Sequence, residues 1–155
     1  LLAGSSRFGL RLIHYSVQNS HIHLLVEAQD THALYRGMKG LAVRIARGLN
    51  RVLGRQGQVF PDRYHSLSVL TPRHVRNTLA YVLNNARKHG IRYLLELADP
   101  CSSGPLFDGW ALAPRNAMAA DGTVIGRPRT WLLQSGWRRH GAVSLDEVPG
   151  PGTSS

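Results

Sequence analysis

The sequence predicts a single α+β domain, and three observations carry that prediction. Two short runs rich in β-formers stand side by side near the start, long stretches of helical apolar period follow them, and 155 residues are enough to bury one core. Residues 10–17, LRLIHYSV, and 21–28, HIHLLVEA, are separated by Gln18-Asn19-Ser20, a hairpin signal.

From residue 32 to 54 the period changes to that of a helix. Leu34, Met38, Leu41, Ile45, Leu49 and Val52 recur at spacings of three and four. Arg44, Arg47, Arg51 and Arg55 follow the same spacing along the flank. GRQGQVFPDR then reads as a loop from its Gly, Gln and Pro content. Residues 64–71, YHSLSVLT, alternate as a strand does. Thr71-Pro72 opens a second helix, with Thr as N-cap and Pro at the first helical position. Its core stripe is Val75, Leu79, Val82 and Ala86, and Lys88-His89-Gly90 closes it. The leading LLAGSSRFGL reads as the back of a helix running into a strand, so the core at 1–97 is expected to lack an N-terminal portion. Residues 98–155 form a Pro/Gly-rich extension carrying a short basic, Trp-containing element at 129–141 and ending in a tail expected to be disordered.

Charge and cysteine content narrow the partners. A formal charge of +10 on so short a chain attracts polyanions. Between Thr31 and Tyr93 there are twelve Lys/Arg against one acid, Asp62, so the basic surface belongs to the folded core. Of the 19 basic residues only Lys39 and Lys88 are lysines. GC-rich coding and selection for guanidinium forks on phosphate both account for that bias. The single Cys101 excludes an intramolecular disulfide and a cysteine-based zinc site, and fits a reducing compartment. No apolar run approaches the ~18 residues of a membrane span.

The residues able to carry chemistry are few. His21 and His23 are two apart, so a strand turns both imidazoles to one side, where they can approach one metal ion. A pair of surface histidines on an edge strand fits the same spacing. The second helix leaves His74, Thr78, Tyr81, Asn85 and Lys88 off its core stripe, with Tyr81 and Asn85 one turn apart. Tyr81 reads either as an amphipathic rim residue or as a phenol nucleophile beside an amide that could ligate the metal. The arginine row likewise reads as a solvated helix face or as a phosphate track. Tyr15, Tyr64 and Trp137 are packing residues or platforms for unpaired bases.

Three linked blocks, HYSVQNSHIHLLVEA, MKGLAVRIARGLNRVLGRQGQVFPDRYH and TLAYVLNNARKHG, resemble successive segments of the single-tyrosine HUH transposases, most closely their REP-associated branch, which processes palindromic repeats in bacterial genomes. The resemblance covers roughly residues 6–93. It implies a ferredoxin-like antiparallel sheet with helices packed on one face, whose first strand is missing from this chain. That strand would lie inside the sheet beside the His21–His23 strand, and its absence leaves exposed edges. The resemblance further implies that His21, His23 and Asn85 hold Mg²⁺ or Mn²⁺, that Tyr81 is the nucleophile, and that a 5′-phosphotyrosine forms during cleavage and rejoining of single-stranded or hairpin DNA. Arg44, Arg47, Arg51, Arg55, Arg63, Arg73, Arg76 and Lys88 would contact the DNA. The implied setting is cytoplasmic and nucleoid-associated, as a monomer or homodimer, with no membrane partner. Three alternatives stand beside this one: a non-catalytic nucleic-acid-binding remnant, a relaxase of the same superfamily, and a metal-dependent hydrolase.

Overall fold

A computed structural model describes residues 6–7, 9–88, 96–120 and 124–147. It is a small α+β domain. The strands are β1 (Ser6–Arg7), β2 (Leu10–Val17) and β3 (Ile22–Ala28), in the order β1-β2-β3, and both pairings are antiparallel. The β2–β3 hairpin turns at Gln18–His21, where the Gln18 N–H donates to the His21 carbonyl at 2.9 Å, as the polar Gln-Asn-Ser insert predicts. Residues 6 and 7 are extended, where the sequence suggested the end of a helix; the five residues before them lie outside the described residues.

A bulge at Ile13 offsets the alternation of β2. Leu12 faces Val26 and His14 faces Leu25, leaving Ile13 as the extra residue. Leu12, Ile13 and His14 are consequently all buried. The bulge is why this strand presents core side chains at three successive positions.

Helix α1 (Thr31–Val52) begins at Asp30, whose carboxylate accepts from the Ala33 N–H at 2.6 Å. Its buried contacts come from its first half, at Ala33, Gly37 and Leu41. Gly37 is required there, since a Cβ would stand 2.3 Å from that of Leu10. The expected apolar stripe weakens beyond Leu41: Leu49 is 39% and Val52 77% exposed. Helix α2 (Pro72–Leu83) begins as predicted, with the Thr71 hydroxyl accepting from the His74 N–H at 3.2 Å. Val75, Leu79, Val82 and Ala86 are all buried, as their spacing requires.

Two expectations fail. Residues 64–70 do not form a strand. Alternation alone does not make one; a strand needs a hydrogen-bonded neighbour, and none pairs with this segment among the described residues. Leu67 and Leu70 remain 69% and 76% exposed. The second helix is not continuous to residue 89 either. Asn84 leaves helical geometry, and a separate short turn, α3 (Asn85–Lys88), follows. Adjacent asparagines favour such a break, because their short amides compete with the helix for backbone partners. His89 and Gly90 lie outside the described residues.

The C-terminal segment packs on the core in spite of its Pro/Gly texture. Phe107, Trp110, Trp137, Val143 and Leu145 join Leu25, Val75, Leu79 and Leu83 in one hydrophobic cluster. The same segment covers the free edge of β2. The Val17 N–H donates to Cys101 O at 2.9 Å, Ser103 N–H to Tyr15 O at 2.9 Å, and Gly126 N–H to Leu12 O at 2.7 Å. That edge is therefore covered, whereas the liability expected beside the His21–His23 strand concerns the opposite edge of the hairpin, that of β3. The Trp-containing element becomes α4 (Trp131–Gln134) followed by a 3₁₀ turn, Gly136–His140, against α2. The tail from residue 148 lies outside the described residues. Among the described residues no helix is long and apolar enough to cross a membrane.

Candidate functional site

Strand β3 and helix α2 bring three of the candidate side chains together. His21, at the turn just before β3, and His23, within it, have ring centroids 4.7 Å apart in edge-to-face contact. The Ser20 hydroxyl lies 3.1 Å from His21 Nδ1 and holds that ring. The His23 ring in turn meets the ring of Tyr81 edge to face, with centroids 5.0 Å apart. The ammonium of Lys88 lies 4.8 Å from the centroid of the Tyr81 ring. Imidazole, imidazole, phenol and ammonium thus form a continuous row, and Tyr81 is only half-buried. Such a row can bind an anion, hold a metal through its imidazoles, and present a phenol to either.

The helix break changes the position of Asn85. The sequence placed it on the open face beside Tyr81; it is instead fully buried. Neither Oδ1 nor Nδ2 of its carboxamide has a hydrogen-bond partner among the described residues. A buried, unsatisfied amide costs about 1–3 kcal/mol, so one without a partner calls for an explanation. No group of three or more His, Cys, Asp and Glu side chains converges among the described residues.

The predicted DNA-contacting cations divide into two groups. Arg47, Arg51, Arg55, Arg63 and Arg73 are exposed, and Arg44 is partly covered. Arg76 is not available for phosphate. Its guanidinium forms a two-pronged ion pair with Glu147, 2.8 Å on one prong, and also donates to Ala142 O at 2.8 Å. This pairing draws residues 142–147 onto α2, and the Asn84 amide adds a bond to Ser144 O at 2.9 Å. Lys88 is exposed but stands over Tyr81.

Of the proposed base-stacking aromatics, Trp137 is 2% exposed and belongs to the core. Tyr15 is partly buried. Burial, and then the neighbouring Cys101 and Asp99, raise its phenol above the ordinary value. Tyr64 remains 42% exposed.

His14 is among the buried polar residues that escaped sequence reasoning. It is 7% exposed, with Nδ1 3.0 Å from the Ser103 hydroxyl and its ring edge to face with Phe107. Burial lowers its pKa to about 4, with a smaller opposing effect from Asp108. The available signal was a lone histidine in a strand that otherwise turns inward.

Compared with protein families, with curated proteins and with solved structures, the chain has no match in any of the three.

Proposed function

We propose that this chain is the catalytic core of a metal-dependent tyrosine transposase, cleaving and rejoining single-stranded or hairpin DNA through a covalent phosphotyrosine. The observation that carries the proposal is the contact between His23 and Tyr81, 5.0 Å between ring centroids, with His21 directly behind. Residues 58 positions apart in the chain are thereby brought into contact, which supports the reading. The ferredoxin-like assignment belongs to the same proposal. It is supported by the succession of hairpin, α1 and α2, although residues 64–70 depart from it.

His21, His23 and Asn85 would hold Mg²⁺ or Mn²⁺, a mixed nitrogen and oxygen set suited to a hard divalent ion with open positions. The unpartnered Asn85 carboxamide fits that role. Held there, such an ion would supply Lewis-acid chemistry to the phosphate. Tyr81 Oη attacks phosphorus, the phosphorus–O3′ bond breaks, and the 3′-oxygen leaves as a hydroxyl once protonated. The phenol gives up its proton in the same step. The product is a 5′-phosphotyrosine, and attack by a 3′-hydroxyl reverses the reaction without ATP. The Lys88 ammonium, 4.8 Å from the Tyr81 ring centroid, would meet the phosphate beside the phenol. Arg44, Arg47, Arg51, Arg55, Arg63 and Arg73 would track the phosphates.

The test is to mix the full chain with Mn²⁺ and hairpin DNA labelled at either end, then look for an SDS-resistant protein–DNA band. Wild type forms it, and Tyr81→Phe, His23→Ala or added EDTA abolishes it. An adduct in Tyr81→Phe would move the nucleophile elsewhere. The burial of Asn85 favours one second reading, a fold that binds nucleic acid without cutting it. In that case hairpins are bound and no covalent band appears in any variant.

A further inference from the structure

A cavity of 690 Å³ opens between β2, α2 and the C-terminal segment. Its size lies within the roughly 300–1,000 Å³ of small-molecule sites. Phe107, Trp110 and Trp137 line it, each less than a tenth exposed. Both indole N–H groups are fixed by backbone carbonyls, Trp110 to Gly104 at 2.9 Å and Trp137 to Leu133 at 3.2 Å, so these walls are rigid. Apolar walls alone would suit many ligands; the polar groups narrow the choice. His14, more than nine-tenths buried, also lines the cavity. With Nδ1 engaged by Ser103, its Nε2 is the ring atom left for a ligand. Because burial keeps this imidazole neutral at pH 7, Nε2 can donate or accept. Asp108, Arg127, Gln134 and Arg138 also stand at the lining, and Arg138 donates to Asp108 at 2.9 Å in an exposed pair.

We infer that this cavity receives one nucleobase together with its attached 5′-phosphate. Rigid aromatic walls accept a flat heteroaromatic ring, and a buried imidazole reads a hydrogen-bonding edge. The exposed Arg127 can meet a phosphate, Arg138 can join it by exchanging its exposed pairing with Asp108, and the net charge of +10 favours any anionic ligand. An aliphatic ligand would make no use of His14 Nε2. A bare phosphate would not use the aromatic walls. The cavity shares no residue with the row of His21, His23 and Tyr81. The inference therefore does not depend on the Tyr81 chemistry. The base can come from a free nucleotide or from an unstacked position in a strand, and the chemistry of recognition is the same.

Trp110 and Trp137 serve as internal probes. The full chain is titrated with each of the four deoxynucleoside 5′-monophosphates, with deoxyribose 5-phosphate, and with a single-stranded twelve-nucleotide oligomer, following tryptophan emission. Saturable quenching by at least one monophosphate or by the oligomer is expected, with none by deoxyribose 5-phosphate. Arg138→Gln should weaken the binding roughly tenfold, the loss of one charge-assisted contact. Ala113→Leu, at an exposed lining position, should weaken or abolish the quenching by the nucleotide while circular dichroism stays native. Stronger binding of the monophosphate identifies a free nucleotide as the source, and stronger binding of the oligomer a strand. Three results would overturn the inference: no saturable quenching by any nucleotide or oligomer, equal binding of deoxyribose 5-phosphate, or binding unchanged in both variants. The covalent-adduct assay on Tyr81→Phe reports separately on the transposase proposal, so either idea can fail alone.

Discussion

His23 on strand β3 and Tyr81 on helix α2 stand edge to face, with ring centroids 5.0 Å apart. The contact joins a potential metal ligand to a potential nucleophile, and it also ties the hairpin to the helix. These two roles separate experimentally. Tyr81→Phe keeps the ring and should unfold within about 0.5 kcal/mol of wild type in urea, the usual range for a change that spares the packing. His23→Ala removes the ring and should cost about 1–2 kcal/mol. Both variants should fail to form the phosphotyrosine. A Tyr81→Phe variant as destabilised as His23→Ala would mean that the phenol oxygen is a structural group.

Asn85 gives a sharper test of the metal set. Its buried carboxamide has no hydrogen-bond partner among the described residues, so an apolar residue of similar volume should be tolerated. Without metal, Asn85→Leu should match or exceed the wild-type melting temperature. Adding Mn²⁺ should raise the wild-type midpoint, because a ligand bound by the native state stabilises it. The variant should not respond. If Mn²⁺ stabilises both proteins equally, Asn85 is not a ligand.

The anchoring of α2 by the C-terminal segment predicts a cost far from the His21–Tyr81 row. Glu147 and Arg76 form a two-pronged pair, with side chains 29% and 16% exposed. Because both are partly solvated, Glu147→Gln should cost about 1 kcal/mol, less than a fully buried pair. Arg76→Ala, which also frees Ala142 O and loses its aliphatic packing, should cost more. Denaturant unfolding of the two variants orders them. Equal and negligible losses would show that the segment is held by its apolar contacts, such as those of Trp137 and Val143, rather than by this pair.

What could be seen in the sequence followed from local rules. The limits of β2, the hairpin turn and the Thr71 cap all rest on neighbours a few residues away, and periodicity located the core stripe of α2. Non-local facts were not visible in that way. Alternation at 64–70 could not report the lack of a pairing partner. The Pro/Gly texture after residue 98 concealed Phe107, Trp110 and Val143, whose burial depends on contacts made across the whole chain. For the candidate site, residue types were legible in His21, His23 and Tyr81. The burial of Asn85 and the capture of Arg76 were not, since one follows from the break at Asn84 and the other from a carboxylate 71 residues away.

Salt dependence tests the basic row formed by Arg47 and Arg51 on α1 and Arg55 just beyond its end. Arg47, Arg51 and Arg55 are exposed, and each phosphate neutralised on single-stranded DNA should contribute about −0.7 to the slope of log K against log salt. The triple change to Gln should make that slope shallower by roughly 2 if all three contact phosphate. Filter binding of a fixed oligonucleotide across a salt series measures it. An unchanged slope would assign these arginines to a solvated helix side.

The buried His14 predicts how stability varies with pH. Its pKa is about 4 in the folded chain against an ordinary 6.5, because burial penalises the charged ring. The unfolded chain therefore binds a proton that the folded chain refuses between those values. Stability is complete above pH 6.5 and falls as pH drops toward 4, by about 3 kcal/mol in total, after which this residue contributes no further loss. Carboxylates begin to titrate at the lower end of the same window, so the informative quantity is the difference between wild type and His14→Gln. The variant retains a polar group of similar reach but no ionisation, and its stability should be flatter between pH 6.5 and 4.5 in urea titrations at fixed ionic strength. Parallel curves would mean that the imidazole becomes charged in place, with water reaching it through the cavity it lines.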